Sequence, residues 1–288
     1  MTGPCKVVFI LSTNYAGSHL LTQLLGAHPR CRSIGELHNY RKYQDRPDER
    51  HSVVNDFAVN PWFAGLDSLN QTQWHQQVLQ TIQAEQGEVT CLVDNSKKPD
   101  WAARFANHPG IDARFVHLIR DPRALVRRWE RTYETEEAKR SQRRRLVRSS
   151  PRYLLKAFTA TEQEIYLYKW LRSNQEISAF LARTGQTENV VTYRDLAVDT
   201  DKALRRLMPQ LGLEFAEAQL AFGEVEHKGT LKKEYLEQSR RSEISLDLRW
   251  QAELPHAQQQ MIESNKDVAR YLAQLGLKLM ADGLARGE

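Results

Sequence analysis

A short loop of small and polar residues near the amino terminus has the composition of an anion-binding site. The residues Ala16-Gly17-Ser18-His19 follow the apolar run Val7–Leu11 and lead into a leucine-rich helical pattern over Ser18–Leu25. A strand that ends in such a loop and opens a helix brings free backbone N–H groups and the positive end of the helix to one point. The sequence therefore predicts that this loop binds a phosphate or sulfate group.

The elements around the loop alternate as they do in α/β proteins. Four near-continuous apolar runs predict buried parallel strands: Val7–Leu11, Val89–Val93, Phe115–Ile119 and Val190–Tyr193. Helical patterns cover Ser18–Leu25, Gln71–Gln86, Thr161–Arg183, Asp199–Leu211 and a final stretch from Pro255 to Gly276. The alternation predicts a three-layer α/β/α fold, with a central parallel sheet and a P-loop-like anion-binding loop at the carboxyl ends of its strands.

The length of the chain favours one domain. Its 288 residues match a single large α/β unit, so we expect one domain over residues 1–288. The net charge is +5, and basic residues crowd the segment 136–153. We expect three flexible pieces: Asp45–Ser52, the basic segment 136–153 and a tail over residues 278–288.

Composition also limits the compartment and the partners. Three cysteines without metal-like spacing predict a reduced, cytoplasmic chain without disulfides or structural zinc. No apolar run approaches the ~20 residues of a membrane-spanning helix, and the first residues do not resemble a signal peptide. The basic charge suits an anionic ligand, nucleic acid or plain solubility, but no nucleic-acid motif accompanies it, so we expect no nucleic-acid partner.

The loop lacks the residues with which P-loop proteins handle Mg·ATP. Ser12 stands where that motif has its first glycine, and Ser18-His19 replaces its Lys-Ser/Thr pair. With the Ala27-His28-Pro29 that follows the helix, the loop resembles the phosphosulfate loop of bacterial-type sulfotransferases that use 3′-phosphoadenosine 5′-phosphosulfate (PAPS). The resemblance implies that the cofactor's 5′ end is bound by Tyr15, Ala16, Gly17, Ser18, His19 and Leu20. Tyr15 departs from the family's basic residue and His19 from its second hydroxyl residue.

A second segment resembles the part of these enzymes that binds the 3′-phosphate. Phe115–Ile119 is followed by Arg120-Asp121-Pro122-Arg123, which matches the family's strand-end arginine motif. The resemblance implies that Arg120 binds the 3′-phosphate. Arg128 stands at the family's serine position, where a guanidinium can keep a phosphate contact with changed geometry. The alternative is a strand-end ion pair followed by a proline that starts a helix.

Two further positions resemble catalytic residues of the family. Val93-Asp94-Asn95-Ser96-Lys97 is similar to a segment whose lysine lies near the phosphosulfate, so Lys97 is expected to stabilise charge on the departing phosphate oxygen. Glu36 occupies the place of a glutamate general base, and a carboxylate near cations is chemically suited to that task. His38 or His19 is the competing base. Surface lysines at a loop tip, and a glutamate that only caps or forms a salt bridge, are the structural alternatives.

Weaker similarities come later in the chain. Tyr193 begins a Y-x-D-L segment like one whose tyrosine lies near the nucleotide, and Lys228-Gly229 resembles a segment that closes over the 3′-phosphate. Both segments are short. Tyr193 is more often a core aromatic, and Lys228 more often a solvated charge.

Together these features imply transfer of a sulfonate group from PAPS to a hydroxyl or amine acceptor, with 3′-phosphoadenosine 5′-phosphate (PAP) as product and no metal. The alternatives are a P-loop kinase-like phosphotransferase and a catalytically impaired PAPS-binding protein. The acceptor stays open between a sugar, a peptide, a lipid headgroup and a small molecule. An aromatic-rich stretch after Glu36 suits either an acceptor pocket or the core: Tyr40, Tyr43, Phe57, Trp62 and Phe63.

Overall fold

Five parallel strands form the central sheet of this computed structural model, which describes residues 3–44, 57, 60–187, 189–225 and 244–287. The strand order is β2-β3-β1-β4-β5. The strands are β1 (Cys5–Ser12), β2 (Cys31–Gly35), β3 (Cys91–Lys97), β4 (Ile111–Ile119) and β5 (Val190–Thr192). Because all five run the same way, their carboxyl ends meet at one edge of the sheet.

Helices cover both faces of the sheet. On β1, Val7 and Phe9 pack with α3 (Trp74–Gln86) and α8 (Glu162–Thr184), whereas Val8 and Ile10 pack with the leucines of α1 (Ser18–Gly26). The three-layer α/β/α prediction is therefore confirmed. The helices are α1 (Ser18–Gly26), α2 (Tyr40–Tyr43), α3 (Trp74–Gln86), α4 (Pro99–Ala102), α5 (Pro122–Glu130), α6 (Glu136–Ser149), α7 (Leu154–Thr159), α8 (Glu162–Thr184), α9 (Tyr193–Val198), α10 (Thr200–Gln210), α11 (Arg249–Glu253), α12 (His256–Glu263) and α13 (Lys266–Gln274).

All four predicted strands are confirmed, with shifted ends. β1 spans Cys5–Ser12 rather than Val7–Leu11, and β4 begins at Ile111 rather than Phe115. The run Val89–Val93 enters the sheet only at Cys91 and continues to Lys97, and the last strand ends one residue before Tyr193. The single helix expected from Pro255 to Gly276 is wrong. Two helices occupy that stretch, because the side chain of Asn265 accepts hydrogen bonds from the backbone N–H groups of Asp267 and Val268 and starts a new helix.

Two of the segments expected to be flexible form regular structure. The basic segment 136–153 is largely the helix α6. The tail forms a hairpin of β6 (Leu277–Met280) and β7 (Gly283–Arg286), because Arg286 donates a 2.6 Å hydrogen bond to the carbonyl of Val190 and Asp282 pairs with Arg194. The stretch Asp45–Ser52 lies outside the described residues.

Candidate active site

The loop between β1 and α1 has the backbone geometry of an anion-binding turn. Gly17 precedes α1 with a φ of 98°, and Tyr15 has a φ of 69°, both in the left-handed region. In the part of the chain that the structure describes, no side chain caps this helix start. A helix start of this kind is a usual place for an anion to bind, because the first N–H groups of a helix point away from its own carbonyl groups.

Tyr193 fixes the shape of this loop from the opposite side. A Cβ atom at position 17 would lie 2.6 Å from Cδ2 of Tyr193, so only glycine fits against that ring. The hydroxyl of Tyr193 donates a 3.2 Å hydrogen bond to the carbonyl of Ser245. Tyr193 thus packs directly on the loop between β1 and α1.

Arg120 joins the loop to the end of β4. Its Nη1 donates a 2.9 Å hydrogen bond to the carbonyl oxygen of Tyr15, and its guanidinium lies 4.2 Å from the centre of the Tyr193 ring. Its Nη2 donates to the carboxylate of Asp247 at 2.8 Å. Hydrogen bonds from Arg249, with a further contribution from the charge of Arg120, hold the pKa of Asp247 well below its ordinary value.

Arg128 adds a second guanidinium at the same place. It lies in the last turn of α5, with its Cζ 4.6 Å from the centre of the Tyr15 ring. Tyr15 therefore contacts Arg120 through its backbone and Arg128 through its ring. The structure brings the predicted loop and both predicted phosphate-binding arginines together.

Glu36 and Lys97 form an ion pair at the carboxyl ends of β2 and β3. The Nζ of Lys97 contacts Oε1 of Glu36, and both side chains are largely buried, at 12% and 16% exposed. The side chain of Asn39 donates a 3.0 Å hydrogen bond to the other carboxylate oxygen of Glu36. Since β2 and β3 are neighbours in the sheet, the two predicted catalytic residues meet directly.

A buried carboxylate of β3, Asp94, holds the turn that follows Glu36, and it was not among the predicted site residues. Asp94 accepts 2.9 Å hydrogen bonds from His75 and Trp101, and others from Ser96, whose hydroxyl in turn accepts one from the backbone of His38. Burial raises the pKa of Asp94, but these hydrogen bonds outweigh it and hold the pKa below its ordinary value. The polar residues Asp94 and Ser96 at the end of an apolar run were the available signal.

The two histidines offered as competing bases lie near different parts of the site. His38 follows Glu36 in the turn that Ser96 holds, and burial, with the charge of Lys98, lowers its pKa to about 4. It is therefore neutral at pH 7. His19 is the second residue of α1 and is half-buried.

The remaining predicted residues divide between the loop, the core and the undescribed part. Ala16 and Ser18 are buried in the loop and Leu20 is half-buried. Lys228 and Gly229 lie outside the described residues. Most of the aromatic residues after Glu36 are in the hydrophobic core, at 4% exposed or less: Tyr40, Phe57, Trp62 and Phe63.

A comparison with protein-family models decides the family. The model of the sulfotransferase family matches residues 7–217, which include the loop, Glu36, Lys97 and both arginines. The chain belongs to the sulfotransferase family. A search of curated proteins found no match.

Solved sulfotransferase domains share the fold of this family member. The sulfotransferase domain of the Synechococcus PCC 7002 olefin synthase superposes with a TM-score of 0.58 at 20% identity, covering 97% of this chain and 98% of that domain. The sulfotransferase domain from the curacin biosynthetic pathway gives a TM-score of 0.54 at 16% identity, covering 97% of this chain and 100% of that domain. At these identities the likeness establishes the fold.

Proposed function

We propose that this sulfotransferase moves a sulfonate group from PAPS to a hydroxyl or amine acceptor. The observation that carries the proposal is the meeting of three anion-binding features at Tyr15: the start of α1, Arg120 and Arg128. A donor with a phosphosulfate at one end and a 3′-phosphate at the other supplies anions for all three. The family match supports the transfer chemistry.

In this proposal each group has one task. The N–H groups at the start of α1 bind the phosphosulfate, and Arg120 and Arg128 bind the 3′-phosphate. Glu36 takes the proton from the hydroxyl or amine of the acceptor. The acceptor's oxygen or nitrogen forms a bond to the sulfur of PAPS. The bond between sulfur and the bridging oxygen breaks, and Lys97 stabilises the negative charge left on that phosphate oxygen.

The 3′-phosphate contact is tested with two nucleotides that differ in that group. We expect isothermal titration calorimetry to show PAP binding at least ~10-fold more tightly than 5′-AMP, because hydrogen bonds between charged groups are worth about 1.5–3 kcal/mol each. Arg120→Ala should abolish this preference. Arg270→Ala, which changes an exposed arginine on α13, should retain it. Equal affinities of the unmodified protein for PAP and AMP would refute the assignment.

Activity is tested by screening pooled acceptors with labelled PAPS and identifying the product by mass spectrometry. Transfer of the label to an acceptor would support sulfotransferase activity, and the mass of the sulfonated product would identify the acceptor. PAP binding without either transfer or slow PAPS hydrolysis would favour the binding-protein alternative, and Mg²⁺-dependent ATP binding would favour the kinase.

A further inference from the structure

The positive charge of this protein is concentrated in one surface segment. Residues 136–159, here called the α6–α7 surface, contain eight basic and two acidic residues, which give a net charge of +6. The whole chain carries +5, so the remainder is close to neutral. This asymmetry means that long-range attraction of an anionic partner acts on the α6–α7 surface.

Four arginines of α6 form an outward stripe. Arg140, Arg144 and Arg148 recur every four residues, and with Arg145 they line a cavity of about 480 Å³, in which the only acidic lining residue of the described chain is Glu137. Among the described residues none of the four has an ion-pair partner, whereas the neighbouring Arg143 pairs with Glu162. Like charges at this spacing repel each other, and an external anion would relieve that repulsion.

The adjoining helix α7 exposes an apolar face. Leu154, Leu155 and Phe158 fall within one third of the helix circumference, and the last two are 80% and 81% exposed. These are the two most exposed large apolar side chains in the described part of the chain. Ala157, beside this face, packs inward against the cluster of Leu146, Tyr153, Ala160 and Ile165. The apolar face of α7 thus points away from the protein.

Arg143 holds the cationic and apolar parts side by side. Its Nη1 donates a 2.7 Å hydrogen bond to the carbonyl of Ala157, and its Nη2 donates a 2.9 Å hydrogen bond to that of Ala160. These contacts fix the short helix α7 against α6. The two parts therefore present one composite surface of arginines and projecting apolar side chains.

We propose that the α6–α7 surface binds an anionic lipid bilayer. Leu155 and Phe158 enter the boundary between headgroups and acyl chains, while the arginines of α6 contact the anionic headgroups. A bilayer accepts projecting apolar side chains without a preformed pocket, which an acidic protein would have to provide. A symmetric contact with a second copy would place the arginine stripe near itself, which like-charge repulsion opposes. The proposal is independent of the sulfonate-transfer chemistry.

Vesicle sedimentation with the full chain tests the proposal. At about physiological ionic strength the protein should bind vesicles of phosphatidylcholine mixed with phosphatidylglycerol, not vesicles of phosphatidylcholine alone. Added salt should weaken the binding. A Phe158→Trp variant should show a blue shift of its additional fluorescence only with the anionic vesicles. Absence of binding to anionic vesicles, or equal binding to both kinds, would overturn the proposal.

Three matched variants separate the contributions. We expect the vesicle partition coefficient to fall by ~10-fold or more in two double variants. One is Leu155→Ser with Phe158→Ser, which leaves the net charge unchanged, and the other is Arg144→Gln with Arg148→Gln. Val198→Ser, at another exposed apolar residue, should leave the partition coefficient unchanged. All these side chains are exposed, and circular dichroism should show unchanged folding.

Other occupants give different results. Retention of an immobilised oligo-glutamate peptide that requires Leu155 and Phe158, with no vesicle binding, would overturn the proposal in favour of an acidic protein. Dimerisation in sedimentation velocity that the Leu155→Ser, Phe158→Ser variant removes, again without vesicle binding, would overturn it in favour of a second copy.

Discussion

Tyr15 and Arg128 are two residues at which the chain departs from the sulfotransferase patterns it resembles, and they contact each other. Tyr15 stands where the pattern has a cation, and Arg128 stands where it has a serine. The 4.6 Å contact between the Arg128 guanidinium and the Tyr15 ring places a cation over the loop from α5. With these two residues, the positive charge beside the loop comes from Arg128 on α5 rather than from a residue of the loop itself.

Glu36 is the residue at which catalysis is tested most directly. Glu36→Gln removes the proton acceptor, so we expect turnover of an acceptor found in the PAPS screen to fall by at least ~10²-fold. Its partner Lys97 keeps a hydrogen-bond acceptor in the glutamine, and calorimetry should show unchanged PAP affinity. The measurement is the rate of labelled sulfonate transfer under saturating PAPS.

The histidines provide the comparison for that experiment. His38→Gln should slow turnover much less than Glu36→Gln. The backbone N–H of His38 donates a hydrogen bond to Ser96, which the substitution keeps, and it is Glu36, not His38, that contacts Lys97. Unimpaired turnover in Glu36→Gln, together with a large loss in His38→Gln or His19→Gln, would move the general base to a histidine.

At the scale of elements, the loop depends on the close approach of α9. Gly17→Ala should lower the free energy of unfolding by about 1–2 kcal/mol for its left-handed φ, and by a further ~1–3 kcal/mol because the ring of Tyr193 must move. Since that ring contacts Arg120, PAP affinity should fall as well. Urea unfolding and calorimetry measure the two effects.

Gly65 is a matched control for the backbone term. Its φ is +78°, but a Cβ atom there has no atom within 4 Å among those compared. Gly65→Ala should therefore cost only the ~1–2 kcal/mol of the left-handed backbone and leave PAP affinity unchanged. If the two alanine variants unfold alike and bind PAP alike, the contact between Gly17 and Tyr193 does not shape the site.

The sequence could predict that Gly17, Lys97 and Arg120 lie at one edge of the sheet, because each follows or ends a predicted strand and the carboxyl ends of parallel strands share one edge. Glu36 was assigned by the family resemblance, without a predicted strand before it. It could not predict Asp247, which pairs with Arg120 from 127 residues away. The strand β2 was missed because its five residues include polar Arg32 and Ser33 and are not a continuous apolar run. The break of the last helix depends on one side-chain cap at Asn265.

At the scale of the whole molecule, the carboxyl-terminal hairpin completes the core rather than extending from it. Leu277 and Leu284 are 4% and 1% exposed and pack in one cluster with Val190 of β5. A chain that ends at Gly276 should lose about 3–6 kcal/mol of unfolding free energy, since burying one leucine contributes about 1.5–3 kcal/mol. That is a large part of the 5–15 kcal/mol typical of folded proteins, and urea unfolding measures it. Within the full chain, Leu284→Ala should cost about 2–5 kcal/mol, whereas Met280→Ala, at a residue that is 37% exposed, should change stability by no more than about 0.5 kcal/mol. Equal stability of the shortened and full chains would mean that the hairpin is the flexible tail that the sequence suggested.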